Sequence, residues 1–495
     1  MIFSYAFENN IKVVLPELFL CSSIIGLLFF GSFVSLSRNY RYPLISTNTS
    51  HLLVLALLFT LLLVVHNPLV SSSVFNGVFI VDWLSTIAKI SILVSSIGCL
   101  LISSGYVKTY RINNFEYFVI VALAVFGQLI LVSSADFLTA YLALEIQSFA
   151  FYLMAAFKRD SAYSTEAGLK YFLLGSFSST LLLFGVSLLY GFFGTTNLSV
   201  LSLLLFEMND FKTLADIAFF LILIGLLFKL AAAPFHIWSP DVYEGAPLNS
   251  TIFFAIVPKI SILVFLFRIY GAVAHNSDIW GVALLVSSIL SVIIGSFVTL
   301  KQKRLKKLLA YSGINHVGYL LLGTSMFTPE SVSAVFFYLF SYMITGLCIW
   351  GIVSVLKRAE SIGSYTPTIA DLNAMVKVNP VLALILAVCL FSLAGIPPLI
   401  GFYAKLGIFQ SALNSGLFSI ASFIILTSVI STFYYIRLIK SAYFESSQTE
   451  WAFYAPLSAN QGVVITLSFF GIIFLFYNPL LLNLLTYKMA FSLFL

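Results

Sequence analysis

Charge is what this 495-residue chain most lacks. Only 9% of its residues are Asp, Glu, Lys or Arg, against roughly 25% in soluble domains, while 60% are hydrophobic. Apolar runs of about 20 residues recur along the whole length, which requires membrane-spanning helices. The alternating ten-residue segments of a membrane barrel do not occur. Cysteine is scarce as well. Cys21, Cys99, Cys348 and Cys389 are scattered through apolar segments and never form C-x-x-C, so they read as buried thiols and leave no clustered metal or iron–sulfur site. No G-x-G-x-x-G follows a strand-like run and no Walker lysine loop occurs, so the chain is not expected to draw energy from a bound nucleotide. No basic segment with a small-residue cleavage site precedes the first apolar run, so neither a signal nor a transit peptide is expected. The formal net charge of +6 is modest and sits mostly in loops, where it argues topology and not nucleic acid.

What is present is a series of spans. Apolar runs set against polar breaks predict fourteen, at 13–36, 51–70, 82–105, 115–132, 136–157, 163–193, 213–243, 248–270, 279–300, 305–326, 331–356, 380–413, 417–443 and 461–485. The apolar tail from Asn478 to Leu495 is too short to count as a fifteenth. Loops after odd-numbered spans carry Arg38 and Arg41, Lys108 and Arg111, Lys158 and Arg159. The same holds for Lys301, Lys303, Arg304, Lys306 and Lys307, for Lys357, Arg358 and Lys377, and for Lys440. Loops after even spans hold little beyond Lys212. The positive-inside rule then places the odd loops on the cytoplasmic or matrix side and both termini opposite. The loop after span seven, with Asp241 and Glu244, departs from the pattern.

Two spans contain breakers. Pro234 interrupts span seven, and Gly395-Ile396-Pro397-Pro398 interrupts span twelve, five spans later. A five-helix unit repeated in tandem inverts on its second appearance, because five is odd. The expected architecture is therefore an all-α polytopic membrane protein with inverted repeats over spans 4–8 and 9–13. This gives an N-terminal three-helix segment (1–112), a first repeat (113–271), a second repeat (272–443) and a C-terminal helix with its tail (444–495). Discontinuous helices in inverted repeats mark the ion pathways of transporters. Taken singly, each proline also reads as an ordinary kink.

Charged residues inside the spans single out the candidate site. A lysine at the bilayer centre costs about 2.5–3.5 kcal/mol on insertion scales. Lys229 precedes the first break, Lys259 lies near the centre of span eight, Lys405 lies just past the second break, and Glu145 lies near the middle of span five. Burial favours the neutral form of such groups and mutual pairing favours the charged form, so a Glu145–Lys229 pair can switch between an ion pair and a proton-sharing site. The bland alternative is a structural salt bridge. His236, two residues after Pro234, suits relay work, as does His316 more weakly; a lone histidine also serves as a hydrogen-bonded core residue. Lys170 lies about nine residues into span six, deep enough to modulate the pair. Glu17 and Lys89 sit nearer helix ends and read as snorkelling residues.

The motifs Ala143-Leu144-Glu145, Gly168-Leu169-Lys170-Tyr171-Phe172, Phe228-Lys229 and Ala233-Pro234-Phe235-His236-Ile237-Trp238 occur in that order. With Asp241-Val242-Tyr243-Glu244-Gly245-Ala246-Pro247, Lys307-Leu308-Leu309-Ala310-Tyr311-Ser312-Gly313 and Ala394-Gly395-Ile396-Pro397-Pro398, the chain resembles the antiporter-like, proton-translocating subunits of respiratory complex I. The likeness runs the whole length. One branch of that family carries glutamate in the second broken helix, where this chain has Lys405. Another continues into a long lateral helix, whereas this sequence stops soon after span fourteen.

The resemblance implies a proton channel in which Glu145 and Lys229 are the coupled pair, Lys259 and His236 the central relay, Lys405 the site toward the positive side and Lys170 an auxiliary. It implies no cofactor in this chain, with flavin and iron–sulfur clusters in partner subunits. The implied partners are other complex I membrane-arm subunits, including further antiporter-like ones, and membrane lipids, with no nucleic acid. Fifty phenylalanines and few charges suit an organelle-encoded protein of the mitochondrial inner membrane, with a bacterial plasma membrane as the alternative. Two other readings stand beside this one: a subunit of a multi-subunit sodium/proton antiporter, and a scaffold whose ion pairs only hold helices together.

Overall fold

The computed structural model describes residues 10–34, 46–67, 72–110, 114–207, 212–273, 278–356, 367–445 and 457–494. Among these, twelve helices are long and apolar enough to cross a membrane. The first five are α1 (Leu15–Val34), α2 (Ser46–Val65), α3 (Trp83–Tyr110), α4 (Glu116–Ser133) and α5 (Phe137–Ala155). A short antiparallel hairpin, β1 (Ser72–Val74) with β2 (Phe79–Val81), joins α2 to α3 in the register Ser72↔Val81. The all-helical expectation did not include it. Of the loop cations used to assign sides, Arg38, Arg41, Arg111, Lys357 and Arg358 lie outside the described residues.

The long α6 (Ala162–Phe193) is followed by α7 (Leu198–Glu207), a ten-residue helix in a stretch left unassigned from sequence. The seventh span is two helices, α8 (Lys212–Leu230) and α9 (Trp238–Gly245). Its first half ends at Leu230, four residues before the proline expected to break it. Ala231 takes the left-handed conformation (φ +59°), with Ala231 N–H bonded to Phe228 O and Ala232 N–H to Leu227 O, both at 3.0 Å. These are the paired bonds of a Schellman terminus, which satisfies carbonyls that the helix end would otherwise orphan.

The eighth span is also divided, into α10 (Leu248–Ile256) and α11 (Pro258–Val273), a kink not expected from sequence. Pro258 has no N–H to give the carbonyl four residues back. That carbonyl, Phe254 O, accepts instead from Tyr243 Oη at 3.1 Å, and Lys259 begins the new helix. Then come α12 (Asp278–Thr299), α13 (Leu305–Met326) and α14 (Pro329–Val353). The α12–α13 contact is close: a Cβ on Gly295 would sit 2.6 Å from Asn315 N, so only glycine lets the backbone beside His316 come this near.

The short α15 (Met375–Val378) leads into the twelfth span, again two helices, α16 (Pro380–Ala394) and α17 (Ile400–Asn414). Here Gly395 (φ +85°) supplies the left-handed residue, and Ile396 N–H bonds Phe391 O at 3.1 Å. Both breaks thus share one build: a Schellman terminus with a cis X-Pro bond three residues after its left-handed residue, at Ala233–Pro234 and Pro397–Pro398. Helices α18 (Phe418–Tyr443), α19 (Ala459–Tyr477) and α20 (Leu480–Phe494) complete the chain. The last shows that most of the apolar tail is helical. Helices α14 and α10–α11 are buried along nearly their whole length, whereas α1, α18 and α19 turn most of their surface outward.

Candidate functional site

Lys229 occupies the last turn of α8, one residue before its end. Its Nζ is buried, has no hydrogen-bond partner and lies 5.9 Å from the Tyr152 ring centroid. Around it Trp238 ties the two halves of the broken helix together. Trp238 Nε1 donates to Phe228 O at 2.9 Å, and the Trp238 ring stacks on Tyr171 at 4.5 Å. Glu145, on α5, is close enough to act on Lys229 electrostatically. The two are not clasped, for Glu145 Oε1 is also buried without a hydrogen-bond partner. The expected pair is therefore juxtaposed but open.

A cavity of about 20 Å³, room for roughly one water, has both Lys229 and Lys259 in its walls, together with Gln147, Ser148, Tyr171 and Tyr243. Lys259 is 7% exposed, donates to Tyr342 Oη at 2.9 Å, and lies 4.3 Å from that ring's centroid. Tyr342, on α14, in turn lines a second small cavity with His316, Tyr338, Ser341, Thr345, Ser392 and Lys405. His316 is buried between two phenols, with Nδ1 at 2.6 Å from Tyr338 Oη and Nε2 at 2.9 Å from Tyr435 Oη. Lys405 reaches back across its own break to donate to Ala394 O at 2.7 Å, and lies 5.5 Å from the Tyr319 centroid.

The site residues named from sequence thus fall into two groups. Lys229, Lys259, His316 and Lys405 line linked cavities through the bundle, with Glu145 beside the first. His236 and Lys170 stand apart. His236 lies in the α8–α9 connection, where its carbonyl accepts from Ser239 N–H at 3.0 Å, and it is not among the walls of the Lys229–Lys259 cavity. Lys170 is 45% exposed and bridges Glu166 at 2.7 Å and Asp241 at 3.4 Å. Asp241 also meets Lys307 at 3.1 Å, Lys307 meets Glu244 at 3.0 Å, and Glu244 pairs with Arg304. This ladder ties α9 to α6 and α13.

Three features were missed from sequence. Lys306, counted among loop cations, is 5% exposed and donates to Ala246 O at 2.7 Å, capping the end of α9. Its place beside Lys307 made it look like one more loop charge. Glu17 and Lys89 do not snorkel: they form a closed pair at 2.5 Å, both nearly fully buried. Arg268 and Asp82 form another at 2.9 Å, tying α11 to the start of α3. Nearness to a helix end suggested solvent, and only the packing of another helix against it supplied the partner. Among the described residues, no group of three or more His, Cys, Asp and Glu side chains is placed to hold a metal ion.

A family model described as NADH:quinone oxidoreductase/Mrp antiporter, transmembrane, matches residues 134–431, which spans both breaks and every candidate from Glu145 to Lys405. The chain belongs to that family. It is 40% identical over 493 residues to the NADH-ubiquinone oxidoreductase chain 2 of Marchantia polymorpha, covering 98% of this chain and 99% of the relative. It is also 40% identical over 445 residues to NADH-quinone oxidoreductase subunit N of Pelagibacter ubique, covering 90% and 92%. Among solved structures, a chain of respiratory complex I from Thermus thermophilus with bound aureothin superposes with a TM-score of 0.77 at 26% identity, covering 94% of this chain and 98% of that one. Family membership thus rests on relatives aligned almost end to end.

Proposed function

We propose that the chain is a proton-translocating membrane-arm subunit of an NADH:ubiquinone oxidoreductase. Protons pass from the Glu145–Lys229 end through Lys259 to Lys405, while flavin, iron–sulfur and quinone chemistry stays in partner subunits. The observation that carries this reading is the row of lysines inside the bundle, lining two small cavities that the Lys259–Tyr342 hydrogen bond joins. Lys229, Lys259 and Lys405 contact no carboxylate at ion-pair distance among the described residues, although three other ion-pair systems in the same fold are closed. A lysine left unclasped at depth is free to exchange its proton, whereas a clasped one is held charged. Redox events in the partner subunits change the charge or hydration beside Lys229, and the proton then moves along the row.

On this reading residues 113–271 and 272–443 are inverted five-helix units, each with its broken helix fourth. The Schellman terminus common to the two breaks supports that pairing. The compartment follows as the mitochondrial inner membrane, with the lysine-rich loops facing the matrix and both termini in the intermembrane space. The likeness to a plant chain 2 over 98% of this chain, against 90% for the bacterial subunit N at the same identity, supports this choice over a bacterial membrane.

The test is the proton-to-electron ratio of the assembled complex carrying Lys229→Met, which is expected to fall. A complex that assembles and pumps at the normal ratio would make the assignment wrong. Because the family description also includes Mrp antiporters, the same preparation should be assayed for sodium flux. Sodium-dependent proton exchange without co-purifying NADH oxidation would establish the antiporter reading instead.

A further inference from the structure

We propose that Tyr342 is a proton-relay residue: its phenol carries the proton that leaves Lys259 into the cavity that ends at Lys405. This rests on the proton-translocation reading above. The two cavities of the row do not share a wall residue. Lys259 lines the first and Tyr342 the second, and the 2.9 Å hydrogen bond between them is what joins the two. Among the described residues Tyr342 is the one hydrogen-bond partner of the Lys259 ammonium.

The other polar groups around the second cavity are committed elsewhere. Both ring nitrogens of His316 are already engaged by Tyr338 and Tyr435, leaving none to receive a proton from Lys259. Tyr338, Ser341, Tyr342 and Thr345 lie at i, i+3, i+4 and i+7, a polar stripe along the middle of α14. Within it, Ser341 Oγ donates to Tyr338 O at 2.8 Å and Thr345 Oγ1 to Ser341 O at 2.9 Å. The Tyr342 hydroxyl accepts from Lys259 and keeps its own hydrogen to give.

In the step, one N–H bond of Lys259 breaks as an O–H bond forms at Tyr342 Oη. In the same concerted movement the phenol's original O–H bond breaks, so that no doubly protonated phenol forms, and that proton passes to the neutral amine of Lys405 in the wall of the same cavity. Lys259 ends neutral, Tyr342 is again a phenol, and Lys405 is an ammonium. One positive charge has moved, and no electron has changed hands. Rotation of the hydroxyl restores the starting arrangement.

Tyr342→Phe in the assembled complex removes only the hydroxyl and keeps the ring beneath the Lys259 ammonium. We expect proton pumping to fall about tenfold, with an increased solvent deuterium effect. Tyr342→His, which restores a titratable group, should recover part of the rate. Tyr434→Phe, a buried phenol nearby that does not line this cavity, should match wild type. Wild-type pumping by Tyr342→Phe would overturn the proposal. Should the phenylalanine variant fail to assemble, 3,5-difluorotyrosine placed at 342 keeps the hydroxyl and acidifies it. A rate that tracks phenol acidity supports the relay, and an unchanged rate overturns it. Lys259→Ala separates the two levels: if it too pumps normally, the whole path falls, whereas a dead Lys259→Ala beside a normal Tyr342→Phe removes only the role of Tyr342.

Discussion

The two broken helices share a backbone build and differ in what their lysines do. At the first break Lys229 lies before the gap, in the last turn of α8, and its Nζ touches no hydrogen-bond acceptor. At the second, Lys405 lies past the gap, in α17, and donates to Ala394 O at the end of α16. Both lysines thus lie near the carbonyl end of a helix, and what separates them is that only Lys405 makes a direct hydrogen bond to one of those carbonyls. Equivalent backbones therefore hold one cation loosely and one firmly. The two ends of the path therefore differ in hydrogen bonding, one amine unpartnered and the other capped.

The largest expected effects test that contrast. Lys229→Met and Lys405→Met should each lower proton pumping by about 10²-fold or more if both groups carry the proton. Their effects on stability should part. Methionine at 229 removes an amine whose nitrogen is buried without a hydrogen-bond partner, so the thermal stability of the purified complex should hold or rise. Methionine at 405 orphans Ala394 O and should cost about 1–3 kcal/mol. Lys405→Arg sharpens the comparison: it can keep the cap but cannot give up its charge, so stability should be retained while pumping stops. Equal destabilisation by the two methionine variants would erase the distinction between loose and capped lysines.

The closed ion pairs mark the other side of the contrast. Glu17–Lys89 is at least as buried as the pathway lysines and is clasped at 2.5 Å. Removing one partner, as in Lys89→Met, should destabilise by about 3–5 kcal/mol, and the double change Glu17→Gln with Lys89→Met by clearly less. Neither should alter the proton-to-electron ratio of complexes that assemble. A changed ratio would place this pair on a conducting route and undo the division between clasped structural charges and open conducting ones.

How much of this was legible in the sequence depends on whether the signal is local. Lys229, Lys259, Lys405 and Glu145 could be found because a charge in an apolar run needs no neighbour to be noticed. Pro234 and Pro397-Pro398 located both breaks to within a few residues. The halting point of α8 was hidden, since alanine seldom adopts the left-handed conformation that Ala231 takes, whereas Gly395 signals its own. Tyr342 was invisible because a phenol in an apolar span looks like filler until the packing of α11 against α14 sets it beside Lys259. The kink at Pro258 was legible in kind but not in consequence: nothing local shows that Tyr243 takes the freed carbonyl.

The smallest expected effect probes the two backbones themselves. At φ +59° Ala231 occupies a conformation that costs a non-glycine residue about 1–2 kcal/mol. Ala231→Gly should therefore stabilise the first break, by an amount reduced to about 0.5–1 kcal/mol because glycine also loosens the unfolded chain. Gly395→Ala should destabilise the second by at least the left-handed cost, because an added Cβ would also lie 2.8 Å from Lys405 Cδ and push on the side chain that caps Ala394. The alanine variant should thus disturb pumping as well as thermal stability, while the glycine variant should change stability alone. If Gly395→Ala left pumping untouched, the position of Lys405 against its carbonyl would not matter for transfer, and the two breaks would differ only in sequence.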